Sequence, residues 1–313
     1  MSRAVLVWGG AAAAILGLGA LAFGAVVATA TPAAHVQRYL DALATDDLVG
    51  AARLAGLEPP TAMPLGDEGA PSIHRIVSST PGPDGTVTVV AEYGDDTDAV
   101  RVPFMLVAAP PTLGLVPAWV FAQPPVVALS VAADQHDVLV VGDRRVQAES
   151  SAEPVLVSAF VPARVTVRLD EPLLRAAPSS LRAVVDAPPA VLVVEATERF
   201  ERAVTEQVEA LMSTCAEQQV LQPSGCPFGI EIDDRVIGRP SWRVIDSPAL
   251  TLGTSERPGV WRWRGTGTAA ITVTVQRLFD GRTSERDDEV EFIVSGEVVL
   301  GPDGPVLTVY PPD

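Results

Sequence analysis

The sequence predicts an α+β protein that begins with one transmembrane helix. Residues 4–30 are apolar and uncharged. Apolar residues then recur at helical spacing after Thr31 and again after Thr197, and each helical stretch precedes runs that alternate as antiparallel strands do. We divide the chain into a transmembrane signal anchor (1–31), an α+β domain (32–124), a small β-sandwich-like domain (125–189) and a C-terminal α+β domain with one disulfide (190–313).

The apolar segment at 4–30 is long enough to cross a membrane. As a helix it spans about 40 Å, against a hydrocarbon core of about 30 Å. The alternative is a cleaved signal peptide, because Ala28-Thr29-Ala30 forms a small-x-small site whose cleavage after Ala30 would release a secreted protein. Arg3 precedes the segment, so the positive-inside rule leaves the N-terminus cytoplasmic and the bulk extracytoplasmic under both interpretations.

Small residues form a stripe along this apolar segment. Gly10, Gly17 and Gly24 recur at two-turn spacing, with Ala13 and Ala20 between them. Such a stripe allows two helix backbones to approach closely, which makes the segment a candidate for helix-mediated dimerisation. The alternative is that Gly and Ala are so frequent here that a stripe arises without any pairing.

Composition limits the partners and the chemistry. The 313 residues carry a net charge of −17, which opposes binding to nucleic acid or anionic lipid through bulk charge. The absence of Lys and Asn indicates a high-GC bacterial genome and excludes a Schiff-base or P-loop lysine. Cys215 and Cys226 are predicted to form a disulfide, since an isolated pair outside the cytoplasm is most simply a bridge. Free thiols or a metal site are the alternatives.

Two helices and four strands are predicted in residues 32–124. Thr31-Pro32 is an N-cap followed by proline at the first helical position, and Asp46-Asp47 begins a second helix that ends before Gly56. We expect strands over residues 73–78, 86–93, 100–108 and 113–121.

This order of elements resembles the nuclear-transport-factor-like, cystatin-like family. The resemblance covers about His35 to Pro125 and rests on HVQRYLDALATDDLVGAARLAG, on the strand that carries Tyr93, and on PAWVFAQPP. It implies a cystatin-like α+β cone, which in many exported bacterial members is a non-catalytic spacer or binding module. Polar groups that converge around His74, Tyr93 or Asp98 would imply chemistry in the cone, and an interior filled by Val and Leu would imply a spacer.

The middle of the chain is predicted to be entirely β. Residues 125–189 contain short alternating stretches, VVALSV, DVLVV, VLVSAF and ARVTVRL, separated by turn signals. This pattern is distantly similar to the small β-repeats of membrane proteins of the teicoplanin-resistance-associated type. Only three residues precede the apolar segment, so we expect none of the cytoplasmic zinc ribbon that this family usually carries.

The C-terminal domain is predicted as a helix packed across an antiparallel sheet. Thr197 caps the helix, whose apolar face consists of Phe200, Val204, Val208, Leu211 and Cys215. Strands are expected over 242–245, 260–264, 269–278, 289–299 and 306–310. The arrangement is again cystatin-like, with a cysteine-closed loop in place of a second helix.

One strand carries the candidate binding patch Trp261, Arg262, Trp263 and Arg264. On a strand both tryptophans face one way and both arginines face the other. The patch is an aromatic platform for sugar rings or an arginine pair for a carboxylate. The alternative is a pair of core tryptophans. In this alternative the arginines pair with Glu289 and Glu291.

No catalytic or metal-binding motif is found in the sequence. His35, His74 and His136 are scattered, and HExxH, GxSxG, CxxC and GxGxxG are absent. Asp287-Asp288 offers paired carboxylates for acid–base chemistry or calcium, but a solubilising turn explains the pair more simply. We therefore expect no cofactor and no metal.

These observations predict a single-pass membrane protein whose extracytoplasmic region is not catalytic. We expect this region to bind or scaffold at the bacterial cell envelope, with a cell-wall component or an envelope protein as its partner. The alternative is a small-ligand-binding or enzymatic cone of the nuclear-transport-factor-like type.

Overall fold

The computed structural model describes residues 30–58, 63–66, 74–94, 99–112 and 116–311. The anchor predicted over residues 4–30, including Gly10, Gly17 and Gly24, lies outside these ranges except for Ala30. Within the described ranges, no helix is both long enough and apolar enough to cross a membrane.

The predicted α+β class is wrong, because the described part of the chain is mainly β. Strands hold 50% of these residues and helices hold 16%. The α-helices are α1 (Pro32–Ala44), α2 (Leu48–Leu54) and α3 (Glu198–Ala216). The strands are β1 (His74–Pro81), β2 (Thr86–Tyr93), β3 (Val100–Thr112), β4 (Val116–Phe121), β5 (Val126–Ala133), β6 (Val138–Val141), β7 (Arg144–Gln147), β8 (Val155–Phe160), β9 (Arg164–Arg168), β10 (Leu174–Arg175), β11 (Ser179–Arg182), β12 (Ala190–Leu192), β13 (Glu195–Ala196), β14 (Arg235–Val236), β15 (Ser241–Thr254), β16 (Val260–Gln276), β17 (Thr283–Gly301) and β18 (Gly304–Val309).

The chain divides into two compact units. The first holds the residues up to Val131 with Leu156–Val167 and Ser179–Ala190. The second holds Ala132–Val155, Arg168–Pro178 and the residues from Val191 onward. The division of the sequence into domains at 124 and 189 stays a prediction.

In the first unit, the capped helix α1 packs on an antiparallel sheet of order β1-β2-β3-β4, and the capped helix α2 packs against α1. The Thr31 hydroxyl accepts a hydrogen bond from the Ala34 amide at 3.2 Å, as the sequence predicts for an N-cap. The Asp47 carboxylate accepts one from the Gly50 amide at 2.8 Å. These caps satisfy backbone donors that the first turn of each helix leaves without a helical partner.

Tyr39 of α1 lies at the centre of the core of the first unit. Its ring contacts Phe104, Phe121 and Phe160 edge-on, at centroid distances of 6.0, 5.2 and 6.3 Å. Its hydroxyl donates to the Val161 carbonyl at 2.7 Å. The helix is therefore fixed both by apolar packing and by a buried hydrogen bond, and the burial raises the pKa of Tyr39 well above its ordinary value.

The second unit is built on a long antiparallel hairpin. β16 pairs with β17 from Val260↔Val299 to Gln276↔Thr283. β15 and β14 pair with the other side of β16, and β18 pairs with the Gly296–Gly301 end of β17. The resulting sheet carries α3 on one face, where Phe200 contacts Trp261 edge-on at 5.7 Å.

Two features make these strands longer than predicted. The predicted strands 260–264 and 269–278 leave a gap at Gly265 and Gly267, but both glycines lie within one continuous strand. A Cβ at Gly267 would come within 2.6 Å of the Phe292 ring, so this glycine provides space for an aromatic side chain of β17. The polar residues 283–288 were left outside the strands, but they pair with β16 along their whole length.

A disulfide closes the loop that follows α3. Cys215, buried at the end of the helix, is bonded to Cys226 at a sequence separation of 11. Phe228, two residues after the bridge, is buried with its ring 4.9 Å from that of Trp242 and 5.3 Å from that of Phe292. The buried helix positions match the prediction except that Met212 is buried more fully than Leu211.

Removing this disulfide should destabilise the second unit. For a loop of this length, the chain-entropy argument gives about 3 kcal/mol at 25 °C. We expect the Cys215→Ser/Cys226→Ser double variant to lose about that much unfolding free energy in urea titrations. Added reductant should lower the midpoint of the natural chain and leave the variant unchanged. An equal effect of reductant on both chains would contradict this account.

His35 is a titratable group in the core of the first unit. It is 8% exposed, its Nε2 donates to the Leu54 carbonyl at 3.1 Å, and its ring lies 5.1 Å from that of Phe121. Desolvation by burial lowers the pKa of His35 below its ordinary value of 6.5. The imidazole is therefore neutral in the folded chain near pH 7.

This shift predicts a loss of stability on mild acidification. Just below about pH 6.5, His35 binds a proton in the unfolded chain but stays neutral in the folded chain. The unfolding free energy therefore falls as the pH is lowered. We expect a lower urea midpoint at pH 5.5 than at pH 7.5, and a smaller difference in His35→Gln, which keeps a donor for Leu54. The same pH dependence in the variant would show that His35 is not the cause.

Candidate binding surface

The two tryptophans of the predicted patch lie in the core of the second unit. Trp261 is 3% exposed and Trp263 is 2% exposed. The Trp263 indole nitrogen donates to the Glu297 carbonyl at 3.2 Å. Since sugar-binding platforms need accessible ring faces, these rings serve packing in this structure.

The two arginines of the patch lie on the opposite, exposed face of β16. Arg262 is opposite Glu297 in the strand register, and Arg264 is opposite Ser295. Glu289 and Glu291, which the sequence analysis assigned as their partners, lie opposite Ala270 and Thr268. The register of β17 therefore places those two carboxylates away from the arginines.

Glu297 is already held by other groups. The Arg257 guanidinium donates to its carboxylate, and so does the Tyr310 hydroxyl. Both contacts hold the pKa of Glu297 below its usual range, with Arg257 the larger cause. This end of the exposed face is thus electrostatically compensated.

Both polar and apolar side chains lie near Tyr93 in the first unit. Tyr93 is fully buried and stacks with His74 at a centroid distance of 6.0 Å, and the His74 Nε2 lies 2.8 Å from Asp41. Asp98 lies outside the described residues. The Arg182 guanidinium carbon lies 5.8 Å from the centroid of the Tyr93 ring. The apolar core of this unit includes Val36, Leu40, Val89, Ala91, Val102 and Leu106.

The described residues contain no cluster typical of a metal centre. No group of three or more His, Cys, Asp or Glu side chains is positioned to hold a metal ion. Every buried side-chain nitrogen and oxygen in these ranges has a hydrogen-bond partner. The Asp287-Asp288 pair points to both faces of β17: Asp287 accepts from the Thr272 hydroxyl at 2.5 Å, and Asp288 accepts from Arg286 at 3.0 Å.

The exposed face of β17 carries an acidic stripe. We use this name for Glu285, Asp287, Glu289 and Glu291, four exposed residues at every second position. The residues directly opposite them on β16 are uncharged: Thr274, Thr272, Ala270 and Thr268. In the described part of the chain, no basic side chain forms an ion pair with any of the four carboxylates. The stripe is therefore a concentration of uncompensated negative charge.

A groove of about 810 Å³ begins where the acidic stripe ends. It runs past Arg264 and Glu291 to Ile293 and Tyr310, whose side chains are 50% and 43% exposed. Asp246 contributes a second carboxylate, so an aliphatic side chain, an aromatic ring, a cation and two carboxylates line one recess. Such a mixed lining suits a side chain of a partner better than a small apolar ligand.

The acidic stripe is not among the predicted sites, although its alternating acids are visible in the sequence. The segment Glu285–Glu291 reads ERDDEVE, in which every second residue is acidic. Alternation of period two places such residues on one face of a strand. The predicted strand begins only at Glu289, and Asp287-Asp288 is interpreted as a solubilising turn.

The two faces of β16 should respond differently to truncation. Trp263→Ala removes a buried indole and should cost about 3–5 kcal/mol of unfolding free energy. Arg264→Ala, on the exposed face of the same strand, should change it by less than about 0.5 kcal/mol. Urea titrations of both variants measure this difference, and equal losses would contradict the assignment of Trp263 to the core.

The comparisons with known proteins give no match. No family model, no curated protein and no solved structure matches the chain. The resemblance of residues 35–125 to the nuclear-transport-factor-like family stays a prediction.

Proposed function

We propose that this chain is a single-pass membrane protein whose extracytoplasmic region binds or scaffolds a component of the bacterial cell envelope without catalysis. The observation that carries the binding role is the exposed face of β17, where the acidic stripe meets a recessed groove. Charges that are not neutralised within the fold are available to a partner, and they steer association with a cationic surface.

The location rests on two further observations. Residues 4–30 are apolar and uncharged, as a membrane anchor requires. The Cys215–Cys226 bond belongs to an oxidising compartment, since cytosolic thiols are kept reduced.

Photo-crosslinking in the cells that produce the protein tests this function. A photoreactive residue at position 289, within the acidic stripe, should give a discrete crosslinked species in the membrane fraction. The same residue at position 209, on the exposed side of α3, should give little of that species. Recovery of the chain from cytosol without detergent would overturn the location, and equal crosslinking from both positions would overturn the binding surface.

A further inference from the structure

The strand β17 has an open edge beside the acidic stripe. β16 covers one side of β17 from Thr283 to Val299. On the other side β18 pairs only with Gly296–Gly301, and the last backbone bond runs from the Tyr310 amide to the Ser295 carbonyl at 2.9 Å. Among the described residues, no strand lies along that side over 283–294. At about 3.4 Å per residue, the open edge is about 40 Å long.

The backbone groups along this edge alternate in direction. Because Ser295 bonds toward β18, every second residue before it also directs its N–H and C=O outward. These residues are Ile293, Glu291, Glu289, Asp287 and Glu285. A row of outward donors and acceptors of this kind is a template for an added strand.

The chemistry of the added strand follows from the side chains at the same positions. The acidic stripe occupies four of the five outward-directed positions, so an adjacent strand would place its own side chains directly beside carboxylates. The first basic residue in these rows of the sheet is Arg243, two strands away from Glu289. In the sheet of the first unit, by contrast, an acidic residue has basic partners: Glu92 accepts from Arg75 at 2.6 Å and from Arg101 at 2.9 Å.

A second copy of this chain is a poor occupant of the edge. Symmetric pairing of two β17 edges would bring one acidic stripe against the other, and like charges directly opposite each other destabilise paired strands. A basic segment is attracted to the edge instead, because each Arg or Lys at an alternate position lies beside a carboxylate.

We infer that an extended, basic segment of a partner protein adds to β17 as an antiparallel strand; this rests on the binding role proposed above. Arg or Lys at every second position lies beside the acidic stripe. Because the added strand runs antiparallel to β17, its N-terminal residue lies nearest the groove. An apolar side chain at that position contacts Ile293 and Tyr310.

A synthetic peptide tests this inference with the purified full chain in detergent. The probe is a fluorescent peptide with one N-terminal Val followed by alternating Thr and Arg, with four Arg in all. The control has the same composition with its Arg residues in one block. Fluorescence anisotropy should show that the alternating peptide binds about tenfold more tightly and loses affinity as salt screens the charges. Equal binding of the two peptides would overturn the inference.

A charge reversal on the acidic stripe should abolish the preference for the alternating peptide over the block peptide. Glu289→Lys/Glu291→Lys should weaken binding of the alternating peptide at least about tenfold. Its matched control is Glu206→Lys/Glu209→Lys on the exposed side of α3, which alters the net charge equally and should bind as the natural chain does. Unchanged binding by the first double variant overturns the inference.

A proline on the edge separates strand addition from charge attraction. Glu289→Pro and Glu289→Thr both lose the carboxylate, but only the proline lacks the outward N–H. Weaker binding by Glu289→Pro supports a shared backbone ladder, and equal binding by the two variants overturns it. Circular dichroism checks that both fold, and the charge-reversed pair decides the inference if the proline variant does not. Failure of these titrations leaves the envelope role to the crosslinking experiment, which does not depend on the peptide.

Discussion

The alternation of side chains along β16 and β17 is the constraint on which the rest of the second unit depends. One face of the hairpin carries Trp261, Trp263 and Phe292, which are buried, and the other carries arginines, threonines and the acidic stripe. A slip of one residue would exchange these faces. Gly296 lies opposite Trp263 in this register, and a Cβ there would come within 1.9 Å of the Thr308 carbonyl oxygen and 2.8 Å of the Trp263 ring.

The strands could be predicted where apolar residues alternate without interruption. β2 matches the predicted range at both ends, and the Thr31 and Thr197 caps begin helices as expected. The prediction failed where glycines or charges fall inside a strand, as at Gly265 and over residues 283–288. Such residues signal turns when read locally. Their place in the sheet depends on the partner strand, which local sequence does not specify, and the β content was underestimated for this reason.

The disulfide and the acidic stripe differ in how far the sequence reveals them. The Cys215–Cys226 pair follows from cysteine count and compartment, whereas the packing of Phe228 on Trp242 required the structure. The alternating acids of the stripe are visible in the sequence. Their significance is not, because it depends on the uncharged residues opposite them and on the point where β18 ends. Both facts are properties of strand register.

The acidic stripe has two effects on an open strand edge: it repels a second copy of the chain and attracts a cationic strand. Unpaired backbone groups invite any extended chain, including another copy of the same protein, and charged side chains are a common defence against such pairing. In the first unit, Glu92 has an arginine on each side, and these two positive charges compensate its negative charge. On β17 the four carboxylates have no arginine partner among the described residues, and they recur at about 6.8 Å, the distance that separates alternate side chains of any neighbouring strand. The edge thus excludes its own copies by repulsion while it selects a cationic strand by the same charges.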